Sequence, residues 1–259
     1  MSVYQAIVLG LVQGIGEFLP ISSSGHLVLM PWLFHWETPG LDYDVALHMG
    51  TLLAVVLYFR RDWFRLFRAA LGRGRPDDRR LFCFLVVASL PAAAAGFLLQ
   101  DILEESLRSP LITAFNLIFF GVLLYAADRR RQWRTLDNMT LSDALVIGCA
   151  QAVALMPGVS RSGITMTAAR CFSFSRRDAA RFSFLLSTPV IFGAGLFQLR
   201  DLSPAALTLP FWLGLAVAAL VGLLAIAFLL RFIQRADFKL FVVYRILLGL
   251  VIAVLFFRQ

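Results

Sequence analysis

The sequence predicts an all-α polytopic membrane protein arranged as an inverted repeat. Each half is read as a re-entrant helix hairpin followed by three transmembrane helices, giving six spans and two hairpins. Three observations carry this reading: a composition too apolar for a soluble globule, a set of long apolar stretches of which two are broken at their centres, and a fixed offset between those two. Of 259 residues, 59% are hydrophobic and 15% charged, and the mean hydropathy is +0.78. Soluble domains carry about 25% charged residues, so charge this sparse cannot coat a globule of this size. Disorder is excluded as well, because disordered chains are poor in aromatics and this one has 24 Phe. A net charge of +8 would suggest nucleic acid in a soluble chain. Here it reads as loop charge facing the cytoplasm, and no nucleic-acid partner is expected.

A bilayer-crossing helix needs about 20 mostly apolar residues. Six stretches qualify: 45–59, which is short and should start near Leu41, then 81–99, 111–127, 182–199, 211–230 and 240–257. Two more, 4–32 and 144–169, are interrupted by Pro20-Ile21-Ser22-Ser23-Ser24-Gly25 and by Pro157-Gly158-Val159-Ser160-Arg161-Ser162-Gly163. Such breaks expose backbone polar groups, which hydrocarbon tolerates only where they are buried in protein or line a cavity. Re-entrant hairpins are the expected solution. The first basic residue is Arg60, so no basic n-region of a signal peptide precedes the first apolar stretch. Cys83, Cys149 and Cys171 form no disulfide or zinc pattern and are expected to be buried small residues.

The broken segments match each other at a constant interval. Gly10 and Gly148, Gln13 and Gln151, Ser22 and Ser160, Ser24 and Ser162, and Gly25 and Gly163 are all 138 apart, and Pro20 and Pro157 are one residue out of step. A fixed offset across helix and loop favours duplication. The whole chain is read as one membrane domain, with repeats at about 1–130 and 140–259. Three crossings per half invert the second copy relative to the first. Loop charge orients the result: 19 of the 24 basic residues fall in loops on one side, with Arg108, Arg200 and Arg258 opposite, beside Asp101, Glu104, Glu105 and Asp201. The basic side is cytoplasmic by the positive-inside rule. Both termini are then outside, and the hairpins enter from opposite faces to meet near the midplane, where inverted repeats usually hold their sites. The arginine-rich loop at 60–80 reads as an amphipathic segment lying on anionic membrane lipid.

Ionisable residues inside a membrane segment are functional candidates by default. The first break supplies Glu17 and His26 around Ser22, Ser23 and Ser24. The second supplies Arg161 between Ser160 and Ser162, with Thr165 and Thr167 beyond. Each break leads into a half-helix, whose free N–H groups suit an anion, and arginine adds a planar fork matched to phosphate oxygens. Singly, each has a bland reading: serines cap helices, an arginine can snorkel, and a lone Glu or His can be a satisfied structural group. Jointly, at matching places in two repeats, they describe a phosphate-ester or diphosphate site with a nucleophile, a proton carrier and charge stabilisation. Asp42, Asp44 and His48, near the outer end of the first span, read first as a solvated helix start, with membership of the site as the alternative.

The stretch from Gln13 through Glu17, Phe18, Leu19, Pro20 and Ser22-Ser23-Ser24-Gly25-His26 resembles the first signature of the bacterial undecaprenyl-diphosphate phosphatases of the bacitracin-resistance type. Pro157-Gly158-Val159-Ser160-Arg161-Ser162-Gly163 with Thr165 resembles the second, and Asp44-Val45-Ala46-Leu47-His48-Met49-Gly50-Thr51 is similar to the segment after the first hairpin. The resemblance spans nearly the whole chain. It implies removal of the terminal phosphate of a prenyl diphosphate lipid at the outer face of the bacterial plasma membrane, which recycles the cell-wall carrier and confers bacitracin resistance. It also implies that Glu17, Ser23, His26 and Arg161 are catalytic and that Ser22, Ser160, Ser162 and Thr165 line the diphosphate pocket; Gln13 and Ser24 join them as substrate-binding candidates. Some members carry a second acid where this chain has Gln13. An amide can orient Glu17 from the same helical face but cannot bring charge to a metal.

Metal use therefore stays open, with a divalent cation such as Mg or Ca as the candidate cofactor and none assigned. The nucleophile is open between Ser23 and His26, and a homodimer is the oligomer to test. Lipid phosphatases with a histidine nucleophile need His six residues after the arginine, where this chain has Thr167. The remaining alternative is a transporter or flippase of a prenyl-phosphate carrier, since broken helices in inverted repeats are transporter architecture. Carriage, however, needs no Glu–Ser–His–Arg cluster.

Overall fold

The computed structural model describes residues 1–37, 41–98, 109–198, 200 and 202–258. Among them the regular structure is helical: α1 (Val3–Phe18), α2 (Ser23–Phe34), α3 (Leu41–Tyr58), α4 (Arg60–Ala70), α5 (Pro76–Leu98), α6 (Pro110–Asp128), α7 (Leu141–Val153), α8 (Arg161–Cys171), α9 (Arg176–Gln198), α10 (Leu209–Phe232) and α11 (Lys239–Phe256). Short 3-10 turns at Leu136–Asn138 and Pro204–Ala206 complete it. Five of these helices, α5, α6, α9, α10 and α11, are long and apolar enough to cross a membrane. The stretch 45–59 lies in α3 up to Tyr58, and α3 begins at Leu41 as expected. The chain is a multi-pass membrane protein. Its outward side chains include Leu90, Phe115, Leu220, Leu224, Leu247 and Val251, each about half exposed or more, a surface that only lipid would cover well.

Each interrupted stretch forms two short helices about a break, α1 with α2 and α7 with α8. Small residues bring these helices close to their neighbours. A Cβ on Gly14 would lie 2.8 Å from Val221 on α10, and one on Gly148 would lie 2.7 Å from the Ala88 Cα on α5. Close backbone approach of this kind replaces the hydrophobic drive that lipid removes. The largest core gathers Phe18, Phe59, Phe84, Phe182 and Phe184 below the first break. Phe18 and Phe184 meet edge to face at 5.4 Å, a geometry worth about 0.5–1.5 kcal/mol beyond burial.

The arginine-rich end is tied by buried ion pairs. Asp128 at the end of α6 accepts from Arg176 at 2.7 and 3.0 Å, from Arg170 at 3.2 Å and from the Phe238 N–H at 3.1 Å. Arg134 grips Asp143 at 2.5 and 3.0 Å. Arg170, counted above with the loop charges, is fully buried and also donates to the carbonyls of Phe174 and Arg130. The 60–80 segment is helical over α4, with Trp63, Leu66 and Ala69 inward and Phe64 and Phe67 exposed among arginines.

The three cysteines correct the sequence reading. Cys83, Cys149 and Cys171 are exposed, not buried. An apolar neighbourhood in a membrane helix does not separate an inward face from an outward one, because lipid is as apolar as the core. Asp101, Glu104, Glu105, Arg108 and Asp201, and the side chain of Asp42, lie outside the described residues.

Candidate active site

The two breaks are built alike. Ser22 at φ 76° caps α2 by accepting the Gly25 N–H at 3.2 Å; Ser160 at φ 72° caps α8 by accepting the Gly163 N–H at 3.1 Å. A left-handed non-glycine residue costs on the order of 1–3 kcal/mol, offset here in part by the cap, which contributes about 1 kcal/mol. Ser24 and Ser162 each face their capping serine, at 3.3 and 3.2 Å. The breaks also touch: a Cβ on Gly25 would lie 3.3 Å from the Gly158 Cα, and Ser162 donates to the Leu19 carbonyl at 3.1 Å.

Glu17, in the last turn of α1, is the centre of the cluster. Its Oε2 accepts the Ser23 hydroxyl at 2.7 Å and the Gln13 amide at 3.2 Å, and its Oε1 accepts Arg161 at 2.8 Å. Glu17 and Ser23 are 7% and 8% exposed, so the carboxylate can stay charged only because it is paired. Ser23 reaches it because Gly16 leaves room; a Cβ there would sit 2.8 Å from the Ser23 Cα. Arg161 makes one further bond, to the Ser183 carbonyl at 2.9 Å. The arginine is therefore no snorkelling residue: it reaches across from the second break to the acid of the first.

The other expected residues are distributed around this core. Thr165 donates within its helix and lies 2.7 Å from the Ser183 hydroxyl, so it steadies the residue that holds Arg161 and does not face Glu17 itself. His26 makes no hydrogen bond to Ser23. Its Nδ1 lies 2.7 Å from the Ser22 carbonyl and its Nε2 2.6 Å from the Tyr244 hydroxyl. His48 on α3 is bonded to the Asp44 carbonyl at 2.8 Å.

The donor set does not fit a divalent cation held by protein groups alone. Both Glu17 oxygens are taken by hydrogen-bond donors, a guanidinium stands 2.8 Å away, and the second position on that helical face is an amide. Hard cations require several free oxygen ligands.

The model of the bacitracin resistance protein BacA family matches residues 6–251. The chain belongs to the BacA family. It is 54% identical to the undecaprenyl-diphosphatase of Desulforudis audaxviator over 98% of both chains. It is 52% identical to that of Moorella thermoacetica over the full length of each, and 49% identical to that of Pelotomaculum thermopropionicum over 98% of this chain and 97% of the relative.

In this BacA chain two residues of the site escaped the sequence reading, and they are neighbours on α11. Arg245 is fully buried and donates to the carbonyls of Leu117, Pro20, Asn116, Gly158 and Val159 at 2.9–3.3 Å. It bolts both breaks to α6. The signal was available, since a cation inside an 18-residue apolar stretch is expensive. Tyr244 gave no such signal, because tyrosine in a membrane helix ordinarily marks an interface.

Proposed function

We propose that this chain is an integral membrane phosphatase that hydrolyses undecaprenyl diphosphate to undecaprenyl phosphate and inorganic phosphate, recycling the lipid carrier for cell-wall synthesis. The observation that carries the reading is the Glu17 carboxylate held between the Ser23 hydroxyl of its own break and the Arg161 guanidinium of the other. Of the four residues expected to be catalytic, Glu17, Ser23 and Arg161 are assigned to the chemistry and His26 to positioning the first break; Gln13, Ser22, Ser24, Ser160, Ser162 and Thr165 form the polar shell around these groups and the diphosphate.

In the first step Ser23 Oγ attacks the terminal phosphorus. Glu17 takes the hydroxyl proton, the bridging P–O bond breaks, and undecaprenyl phosphate leaves. Arg161 turns its donors to the phosphoryl oxygens, where charge is greatest as the bond breaks. Water then attacks the phosphoserine. Glu17 returns its proton to Ser23 Oγ, and the water protons leave with inorganic phosphate. Ser23 is favoured over His26 as nucleophile because its hydroxyl already donates to a carboxylate, whereas both ring nitrogens of His26 are engaged elsewhere.

The finer architecture belongs to the same proposal: one membrane domain of two inverted repeats, with α1–α2 and α7–α8 as re-entrant hairpins. Their matched caps support it, as does the exchange by which α1 packs on α10 and α7 on α5. The arginine-rich end is assigned to the cytoplasm and the site to the outer face. Two experiments test this. The purified protein in detergent should release phosphate from prenyl diphosphates without nucleotide; inactivity across several chain lengths, with and without divalent cation, would reject the phosphatase. In a cysteine-free background, an impermeant thiol reagent should label a cysteine at Ser203 from outside and one at Arg73 only after permeabilisation. The reverse pattern would overturn the orientation.

A further inference from the structure

The His26 ring is held at both nitrogens, and the two partners fix its protons. A carbonyl oxygen cannot donate, so the 2.7 Å bond from Nδ1 to the Ser22 oxygen puts the proton on Nδ1. In the neutral ring Nε2 then carries a lone pair, and the Tyr244 hydroxyl 2.6 Å away is its donor. The rings lie parallel, 7° apart in plane with centroids at 5.7 Å. Hydroxyl, imidazole and peptide oxygen therefore form one chain, Tyr244 to His26 to Ser22. It ends on the left-handed Ser22, the residue before the Ser23 hydroxyl that donates to Glu17. The next residue of α11, Arg245, holds the Pro20 carbonyl at 3.3 Å. Two consecutive side chains of α11 thus bracket Ile21, one on each side of the turn.

We infer that Tyr244 is a positioning residue for the first break: its hydroxyl holds the Nε2 side of the His26 ring, whose Nδ1–H is set by the Ser22 carbonyl, and through that ring it steadies the strained Ser22 peptide that aims Ser23 at Glu17. The inference rests on the phosphatase reading for its kinetic consequence, and on geometry alone for the contact. A tyrosine that merely marked the membrane interface would need its ring and not its bond to His26.

The test is Tyr244→Phe, which keeps the ring and removes the hydroxyl. Turnover of a prenyl diphosphate should fall about tenfold, the scale of one lost hydrogen bond, with KM within about twofold. Imidazole nitrogen-15 NMR on protein labelled at histidine gives a readout independent of turnover. In the unaltered protein His26 should show the Nδ1–H tautomer, and in Tyr244→Phe its Nε2 signal should move while His35 and His48 stay in place. Unmoved His26 signals, or moved signals with unchanged kcat, would overturn the positioning role. Absence of phosphate release from the unaltered protein would reject the phosphatase instead, leaving the NMR comparison to decide the contact.

Discussion

At the first break Ser22 turns the chain at φ 76° and ψ 91°, and at the second Ser160 does so at 72° and 111°. Each serine caps the helix that follows, each faces a second serine two residues on, and each break is held by Arg245. The chemistry is divided, however. The first break carries the acid, hydroxyl and imidazole, and the second contributes a single cation. Their surroundings differ in the same sense: every residue of α8 from Ser162 to Arg170 is buried, whereas only Ser23, Gly25, Leu29 and Pro31 are buried on α2. On the proposed function, one backbone device used twice serves as a reactive arm in the first break and as an anchored counter-charge in the second. The backbone is the shared part, and side-chain chemistry is where the two breaks differ.

That comparison can be broken at several points. Glu17→Gln keeps the shape and loses the base, so phosphate release should fall by about four powers of ten, the upper range for a general base, while substrate still binds. Arg161→Lys keeps the cation but loses the planar fork; a fall of about two to three powers of ten is expected, as for one transition-state contact. If Arg161→Lys proved nearly silent, the second break would be only a scaffold. Arg245→Met strands carbonyls of both breaks and should lower stability in detergent by about 3 kcal/mol or more, read by thermal unfolding, with Arg245→Lys recovering part. Gln13→Ala should reduce turnover about tenfold, because the amide only orients Glu17; a larger loss than Glu17→Gln would reverse the roles on that face. The smallest effect is the most direct check of likeness. Ser22→Ala and Ser160→Ala should each cost about 1 kcal/mol of stability, and unequal losses would mean that the two caps are not equivalent.

The breaks were legible in the sequence because proline, glycine and serine inside apolar runs have few other uses in a membrane. Glu17 and Arg161 were legible as charges out of place, and so was Gln13 as the amide one turn before Glu17. What hydropathy could not tell was facing. Cys83 and Cys149 sit in apolar runs yet point outward, since lipid and core look the same to a residue scale. Partnership was also hidden. His26 stands three residues from Ser23, and the sequence left the nucleophile open between them; the geometry gives the Ser23 hydroxyl to Glu17 and the imidazole to a tyrosine 218 positions away. Arg170 looked like one more loop charge, although its acceptors, Asp128 and nearby carbonyls, bury it completely.

Arg245 has a consequence for how the molecule is made. Its acceptors at Pro20 and Val159 lie 225 and 86 positions earlier in the chain, and chains are synthesised from the N-terminal side first. Until α11 arrives, the carbonyls of both turns lack this donor within an apolar setting, and the guanidinium has nowhere to settle except beside them. The joint that ties the two breaks to α6 can therefore form only after the final helix has been made. The turns that carry Glu17's partners are thus locked together by one of the last residues the growing chain supplies.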